Sequence, residues 1–214
     1  MSLSITILTD ESSWMNPFNK RLVTLLKGLG HDVKLIRSRS ELMEGDVAFF
    51  LSCFEIVGKD FLILNKHNIV VHASHLPRGK GWSPATWQIL EGKNEIPLTL
   101  FEANEKVDAG DVYIRDVIRL DGTELIDEWR EKLGKKIIEM CLCFIKKLQE
   151  NDLTRELQNE SESFYSRRSP EDSRIDPAKT IIEQFNLFRV VDNKYYPAFF
   201  DYKGCRYSLK ISKI

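Results

Sequence analysis

The sequence predicts an open, mostly parallel α/β sheet with a C-terminal helix and β-hairpin extension, and three observations carry that reading. Short apolar runs alternate with helix-period stretches over roughly the first 120 residues, the pattern of βαβ units joined by right-handed crossovers. The run Asp46 to Leu51 is apolar on both faces, as a central parallel strand must be. Near Glu150 the composition turns polar, and the chain closes on an aromatic-rich pattern with a turn signal.

The elements follow in order. Ser4-Ile5-Thr6-Ile7-Leu8-Thr9 is rich in β-branched residues and reads as the first strand. Asn16-Pro17 has the form of an N-cap and first helical position, and Phe18, Leu22, Leu25, Leu26 and Leu29 recur at helical spacing before Gly28 and Gly30 end the helix. His31–Ile36, Asp46–Leu51 and Asn68–Val71 read as three further strands. Ile96-Pro97-Leu98-Thr99-Leu100-Phe101 is another apolar run, and Asp111–Leu120 alternates apolar with polar. Asp121-Gly122-Thr123 is expected to cap a long helix with Leu125, Trp129, Leu133, Ile137, Cys141, Phe144 and Leu148 along its inner stripe. Asn159–Asp176 has little apolar content and reads as an extended segment. Pro177–Arg189 reads as a helix with Ile181, Ile182, Phe185 and Phe188 inward. Tyr195–Tyr202 and Arg206–Ile211, joined through Lys203-Gly204-Cys205, read as a hairpin. The expected division is a catalytic unit over residues 1–150 and a linker, helix and hairpin over 151–214.

Composition narrows the function. With 43% apolar residues in 214, the chain can bury a core without disulfides or metals. Cys53, Cys141, Cys143 and Cys205 show neither disulfide nor zinc spacing, which suits a reduced, cytoplasmic setting. Acidic residues number 32 against 31 basic, so no overall field favours a polyanion. No apolar run is long enough to span a bilayer and no signal segment opens the chain.

The chemistry concentrates in two loops. His72-Ala73-Ser74-His75-Leu76-Pro77-Arg78-Gly79-Lys80-Gly81-Trp82-Ser83-Pro84 leaves a strand and enters a loop of Pro, Gly and basic residues. Val107-Asp108-Ala109-Gly110-Asp111 is an acidic turn after the next apolar run. A strand-end histidine and an aspartate from the neighbouring turn can meet at one sheet edge, an arrangement suited to proton transfer. His31 and His67 lie in polar connections and are expected at the surface, and Trp87 is expected to pack beneath its helix.

His72-x-Ser74-x-Leu76-Pro77-Arg78-x-x-Gly81, Pro84, Gly92 and the Val107–Asp111 turn resemble the 10-formyltetrahydrofolate-dependent formyltransferase family, whose fold is Rossmann-like. Ser166–Asp176 and Asn186–Arg189 are similar to the linker and helix that follow the catalytic domain in the methionyl-tRNA and nucleotide-sugar members. The resemblance covers roughly residues 65–212 and implies N10-formyltetrahydrofolate as co-substrate, with no metal. It makes His72 and Asp108 the catalytic pair. The family's Asn, two residues before the His, maps to Val70, which cannot donate a hydrogen bond. Losing one such oxyanion donor costs on the order of 10²–10³ in rate, so His75 or Asn104 is expected to substitute. Arg78, Lys80, Trp82, Tyr165, Arg167 and Arg168 are the candidates for holding substrate or nucleotide.

The resemblance, the absence of a C-terminal tRNA-holding barrel before Ile214 and the neutral charge together point to a nucleotide-linked amino-deoxysugar acceptor, such as a UDP-4-amino-4,6-dideoxyhexose. No nucleic acid or membrane partner is expected, and a homodimer is compatible with this reading. The alternatives are a methionyl-tRNA acceptor, hydrolysis of the formyl donor, and an inactive folate- or sugar-binding module, the last prompted by Val70.

Overall fold

The computed structural model describes residues 1–214. Along the chain run β1 (Ser4–Leu8), α1 (Asn16–Gly28), β2 (Asp32–Ile36), β3 (Gly45–Phe50), α2 (Lys59–Leu62), β4 (Asn65–His72), β5 (Lys80–Gly81) and α3 (Pro84–Leu90). They are followed by β6 (Glu95–Glu102), β7 (Val112–Arg119), α4 (Ile126–Gln149), β8 (Phe164–Tyr165), α5 (Phe185–Val190), β9 (Ala198–Tyr202) and β10 (Cys205–Leu209). Six strands make one sheet in the order β2-β1-β3-β4-β6-β7. The first four are parallel, whereas β6 runs antiparallel to both β4 and β7.

Each face of the sheet carries its own core. Leu22 and Leu26 of α1 and Leu133, Ile137, Cys141 and Phe144 of α4 bury against Ile5, Ile7, Val47, Phe49 and Ile69. On the opposite face Leu8, Ala48 and Phe50 meet Phe61, Leu62 and Leu64. Each large side chain removed from water contributes roughly 1.5–3 kcal/mol, so the larger cluster dominates and fixes α4 across the sheet. Cys141 is buried and Cys143 exposed, as two residues apart on a helix dictates.

Three sequence expectations are corrected here. Pro177–Arg189 is not one helix. Its first part is held by side chains, with Thr180 bonded to Glu183 and the Gln184 amide donating to the carbonyls of Asp176, Lys179 and Thr180. Such side-chain bonds compete with the helical ladder, and the α-helix begins only at Phe185. Ile181 and Ile182 are consequently exposed, while Phe188 is buried with Ile175, Val191 and Ala198. Asp121 caps a local turn at Thr123, and the start of α4 is instead closed by Glu128, which accepts from the Leu125 amide. His31 and His67 are not surface groups. His31 is buried and accepts from the Leu3 amide, and His67 sits between Glu102 and Tyr113. The hairpin forms as expected, its strands joined by Lys203 and Gly204 at positive φ, a tight turn that matches strand twist.

Candidate active site

β4 is the hub of the site because it is the strand at which the sheet changes direction. It extends to His72, which pairs with Thr99 of β6. The next strand end, Glu102, lies opposite Ile69, three residues short of His72. The loop after Glu102 must therefore climb back along the sheet to bring Asp108 near His72, and it does. Asp108 sits at φ 54, a left-handed conformation that Asp tolerates better than most residues. Its base is fixed by backbone contact: the Glu102 amide donates to the Asp111 carbonyl, and the Ala103 amide to the Asn68 carbonyl. Gly110 is obligatory there, since a Cβ at that position would stand 1.6 Å from the Glu102 carbonyl oxygen.

The two side chains meet through one tripeptide. His72 is buried, with Nε2 2.8 Å from the Gly79 carbonyl oxygen. A carbonyl only accepts, so Nε2 carries a proton and Nδ1 is the atom left for chemistry. Nδ1 lies 3.7 Å from Asp108 Oδ1. That is longer than a hydrogen bond, and with the proton on Nε2 both Nδ1 and the carboxylate are acceptors, so a proton placed between them would be shared. Asp108 Oδ2 accepts from the Gly81 amide at 2.9 Å. Gly79-Lys80-Gly81 thus holds the histidine with a carbonyl and the aspartate with an amide. Gly81 has φ +93, and a Cβ there would meet the Tyr165 carbonyl oxygen at 2.5 Å.

Residues 156–166 wrap over both loops. Val112 and Glu156 exchange backbone hydrogen bonds, Gln158 donates to the Gly110 carbonyl, and β8 pairs in parallel with β5. This strap redefines several candidate residues. Lys80 is only 3% exposed, its ammonium 2.5 Å from Glu162 and over the Phe164 ring, so it is committed internally and is not a free phosphate ligand. Arg78 pairs with Glu160 at 3.2 Å. Tyr165 stacks on Trp87 and donates to Glu91, and burial together with that carboxylate pushes its hydroxyl pKa up to about 12. Trp87 is not sealed beneath α3, because its indole donates to the Ser166 carbonyl. Arg168 donates to the Asp172 carbonyl and Ser173, and burial lowers its pKa, so it braces the turn after the strap. Arg167 and Trp82 remain free for a ligand. The Arg167 guanidinium lies 4.9 Å from the Trp82 ring, and Phe54 faces Trp82 at 5.4 Å.

At position 70 the side chain is apolar and packs against Leu76, Phe101 and Val112. Asn104 accepts the Lys106 amide in a local turn, and His75 is exposed without a side-chain hydrogen bond, so neither is bonded into the pair. Sequence reasoning missed Gly79, Gly81 and Ser163 as partners. Ser163 accepts from the Gly79 amide 84 positions away, a contact with no local signal.

The sheet turns antiparallel at β4, whose last residue is His72, and Asp108 reaches it from the loop after β6; no group of three or more metal-binding side chains occurs. The formyl transferase family model matches residues 31–140, just over half of the chain, and the chain belongs to that family. The chain is 28% identical over 188 residues to the methionyl-tRNA formyltransferase of Lactococcus lactis subsp. cremoris, covering 87% of this chain and 58% of that protein. It spans 48% to 59% of the length of the curated relatives it matches. In fold it is similar to a methionyl-tRNA formyltransferase from Clostridium thermocellum, with TM-score 0.81, 21% identity, and coverage of 99% and 94% of the two chains. It is also similar to a 4-N formyltransferase from Francisella tularensis, with TM-score 0.72, 20% identity and 99% coverage of both.

Proposed function

We propose that the protein transfers a formyl group from N10-formyltetrahydrofolate to the amino group of a nucleotide-linked amino-deoxysugar. The observation that carries the chemistry is the His72–Asp108 pair, tied at 3.7 Å through Gly79 and Gly81 in a chain of the formyl transferase family. The acceptor nitrogen attacks the formyl carbon, a tetrahedral intermediate forms, and its bond to N10 breaks. A proton leaves the attacking amine and one arrives on N10. In this reading His72 Nδ1 faces the reacting centre, and Asp108 takes and returns the proton.

The acceptor reading rests on charge. Three cations flanking the two loops are already matched, Arg78 by Glu160, Lys80 by Glu162 and Arg115 by Glu156, which leaves Lys106 as the exposed cation of the Asp108 loop. Arg167 has no carboxylate partner and lies over the Trp82 ring, which Phe54 also faces. One free guanidinium over an aromatic pair suits one base and a diphosphate. A tRNA acceptor stem, gripped through about 6–10 phosphates, needs a broader unpaired basic face. The structural relative from Francisella tularensis, a 4-N formyltransferase, accords with this. A second reading, transfer to methionyl-tRNA, is favoured by the curated relatives, which carry that name.

Titrating UDP and dTDP into the protein while following tryptophan fluorescence tests the acceptor site. Quenching that disappears in Trp82→Phe and has a shallow salt dependence is expected. Quenching unchanged in Trp82→Phe, or none at all, counts against it.

A further inference from the structure

Taking the His72–Asp108 pair as the reacting pair, we infer that Ser163 is a positioning residue: the strap it belongs to sets the geometry of the pair through the Gly79-Lys80-Gly81 peptide. Four successive amides in that stretch are all claimed, in a fixed pattern. Gly79 donates to Ser163 Oγ at 2.8 Å, Lys80 to the Ser163 carbonyl at 2.9 Å, Gly81 to Asp108, and Trp82 to the Tyr165 carbonyl at 3.1 Å. The carbonyl of the first of these residues holds His72. A shift of the strap by one residue would remove the Ser163 contact and move the carbonyl that orients the imidazole.

The strap is not held down by apolar burial. Phe164 is 69% exposed, and residues 160–163 are exposed as well. Its polar anchors are the Val112–Glu156 backbone pair, Gln158 on the Gly110 carbonyl, Tyr165 on Glu91 and, nearest to Ser163, the buried Lys80 ammonium on the half-exposed Glu162 carboxylate. An ion pair whose lysine is buried contributes little net stability against the desolvation of that ammonium, and fixing register is a use such pairs serve. Here the register so fixed is that of β5 on β8, Lys80 opposite Phe164 and Gly81 opposite Tyr165. Ser163 thus acts on the chemistry at second hand: its hydroxyl holds the Gly79 peptide, and that peptide holds His72 Nε2.

The experiment uses the full chain and two readouts, one independent of the acceptor. The chain has four histidines, so each ring can be followed by ¹⁵N NMR across a pH titration. Ser163→Ala is expected to move the His72 ring signals while those of His31 and His67 stay in place, and Ser163→Thr, which keeps the hydroxyl, to restore them. Formyl transfer by Ser163→Ala should fall about tenfold in kcat, the loss of one hydrogen bond from the reacting geometry, with KM little changed. If Ser163→Ala does not fold, the surface variant Glu162→Gln should displace the same His72 signals. His72 signals at wild-type positions in a folded Ser163→Ala or Glu162→Gln protein overturn the inference. A His72 response in a protein that transfers no formyl group would reject the proposed function and leave the positioning role standing.

Discussion

Replacing Asp108 by Asn separates charge from shape at the centre of the site. Asp108 occupies left-handed backbone at φ 54, where Asn is as well tolerated, whereas Ala there would add about 1–2 kcal/mol of strain. The Asn oxygen can keep the bond to the Gly81 amide, now at 2.9 Å to Oδ2, so the loop should stay in place. What Asn cannot do is take a proton, and its amide group would face His72 Nδ1 where a carboxylate oxygen stands 3.7 Å away. A positioned acid–base group supplies about 10²–10⁴ in rate, equivalent to roughly 3–5.5 kcal/mol of barrier. Asp108→Asn should therefore lose activity by that factor while its unfolding midpoint moves by less than the equivalent of ~1 kcal/mol. The assay is optical loss of 10-formyltetrahydrofolate with a panel of aminosugar acceptors, beside urea unfolding. A folded Asp108→Asn protein that retains more than about a third of wild-type turnover would refute proton transfer by this residue.

Three further outcomes are expected. If, as proposed, His75 or Asn104 swings in to supply the missing oxyanion donor, His75→Ala or Asn104→Ala should lower turnover by about tenfold or more and Val70→Asn should gain less than about tenfold; a gain of about 10² in Val70→Asn with both Ala variants silent would show that neither replaces it. Gly110→Ala should lower the urea midpoint by the equivalent of roughly 2–5 kcal/mol, since its Cβ would stand 1.6 Å from the Glu102 carbonyl and the hydrogen bonds closing the loop must break; wild-type stability in that variant would discredit the loop geometry. Burial pushes the Cys53 thiol from its ordinary 9.0 up to about 11. The folded state therefore holds that proton more tightly, and the stability this contributes is full below pH 9 and lost as pH rises through 11. Iodoacetamide at pH 8 should label exposed Cys143 and Cys205 before half-buried Cys53, read by mass spectrometry; equal labelling of Cys53 would contradict its raised pKa.

What the sequence revealed of this site was that His72 and Asp108 would meet, and what it concealed was their framing. His72 and Asp108 are legible because a strand end and an acidic turn carry local signals. That β6 runs antiparallel to β4 is not legible: the run Ile96–Phe101 is buried on both faces, and an intervening helix ordinarily implies a parallel crossover. His67 looked like a surface residue because Asn65-Lys66-His67-Asn68 is polar. Its partners Glu102 and Tyr113 come from strands over thirty residues away. The same holds for Lys80, whose burial depends on Glu162. The helix expected over Pro177–Arg189 failed because Thr180, Glu183 and Gln184 satisfy the backbone with side chains, a competition that apolar periodicity does not register.

The most direct test of the account is a single competition reaction. The purified protein is supplied with 10-formyltetrahydrofolate, UDP- and dTDP-linked 4-amino-deoxysugars, and methionyl initiator tRNA together, and the formylated products are identified by mass spectrometry in wild type and His72→Ala. Formyl is expected on a sugar amine and none on the tRNA, with loss of product by about 10³ or more in the variant. Formyl-methionyl-tRNA as the product, or sugar formylation that survives in folded His72→Ala, would contradict it.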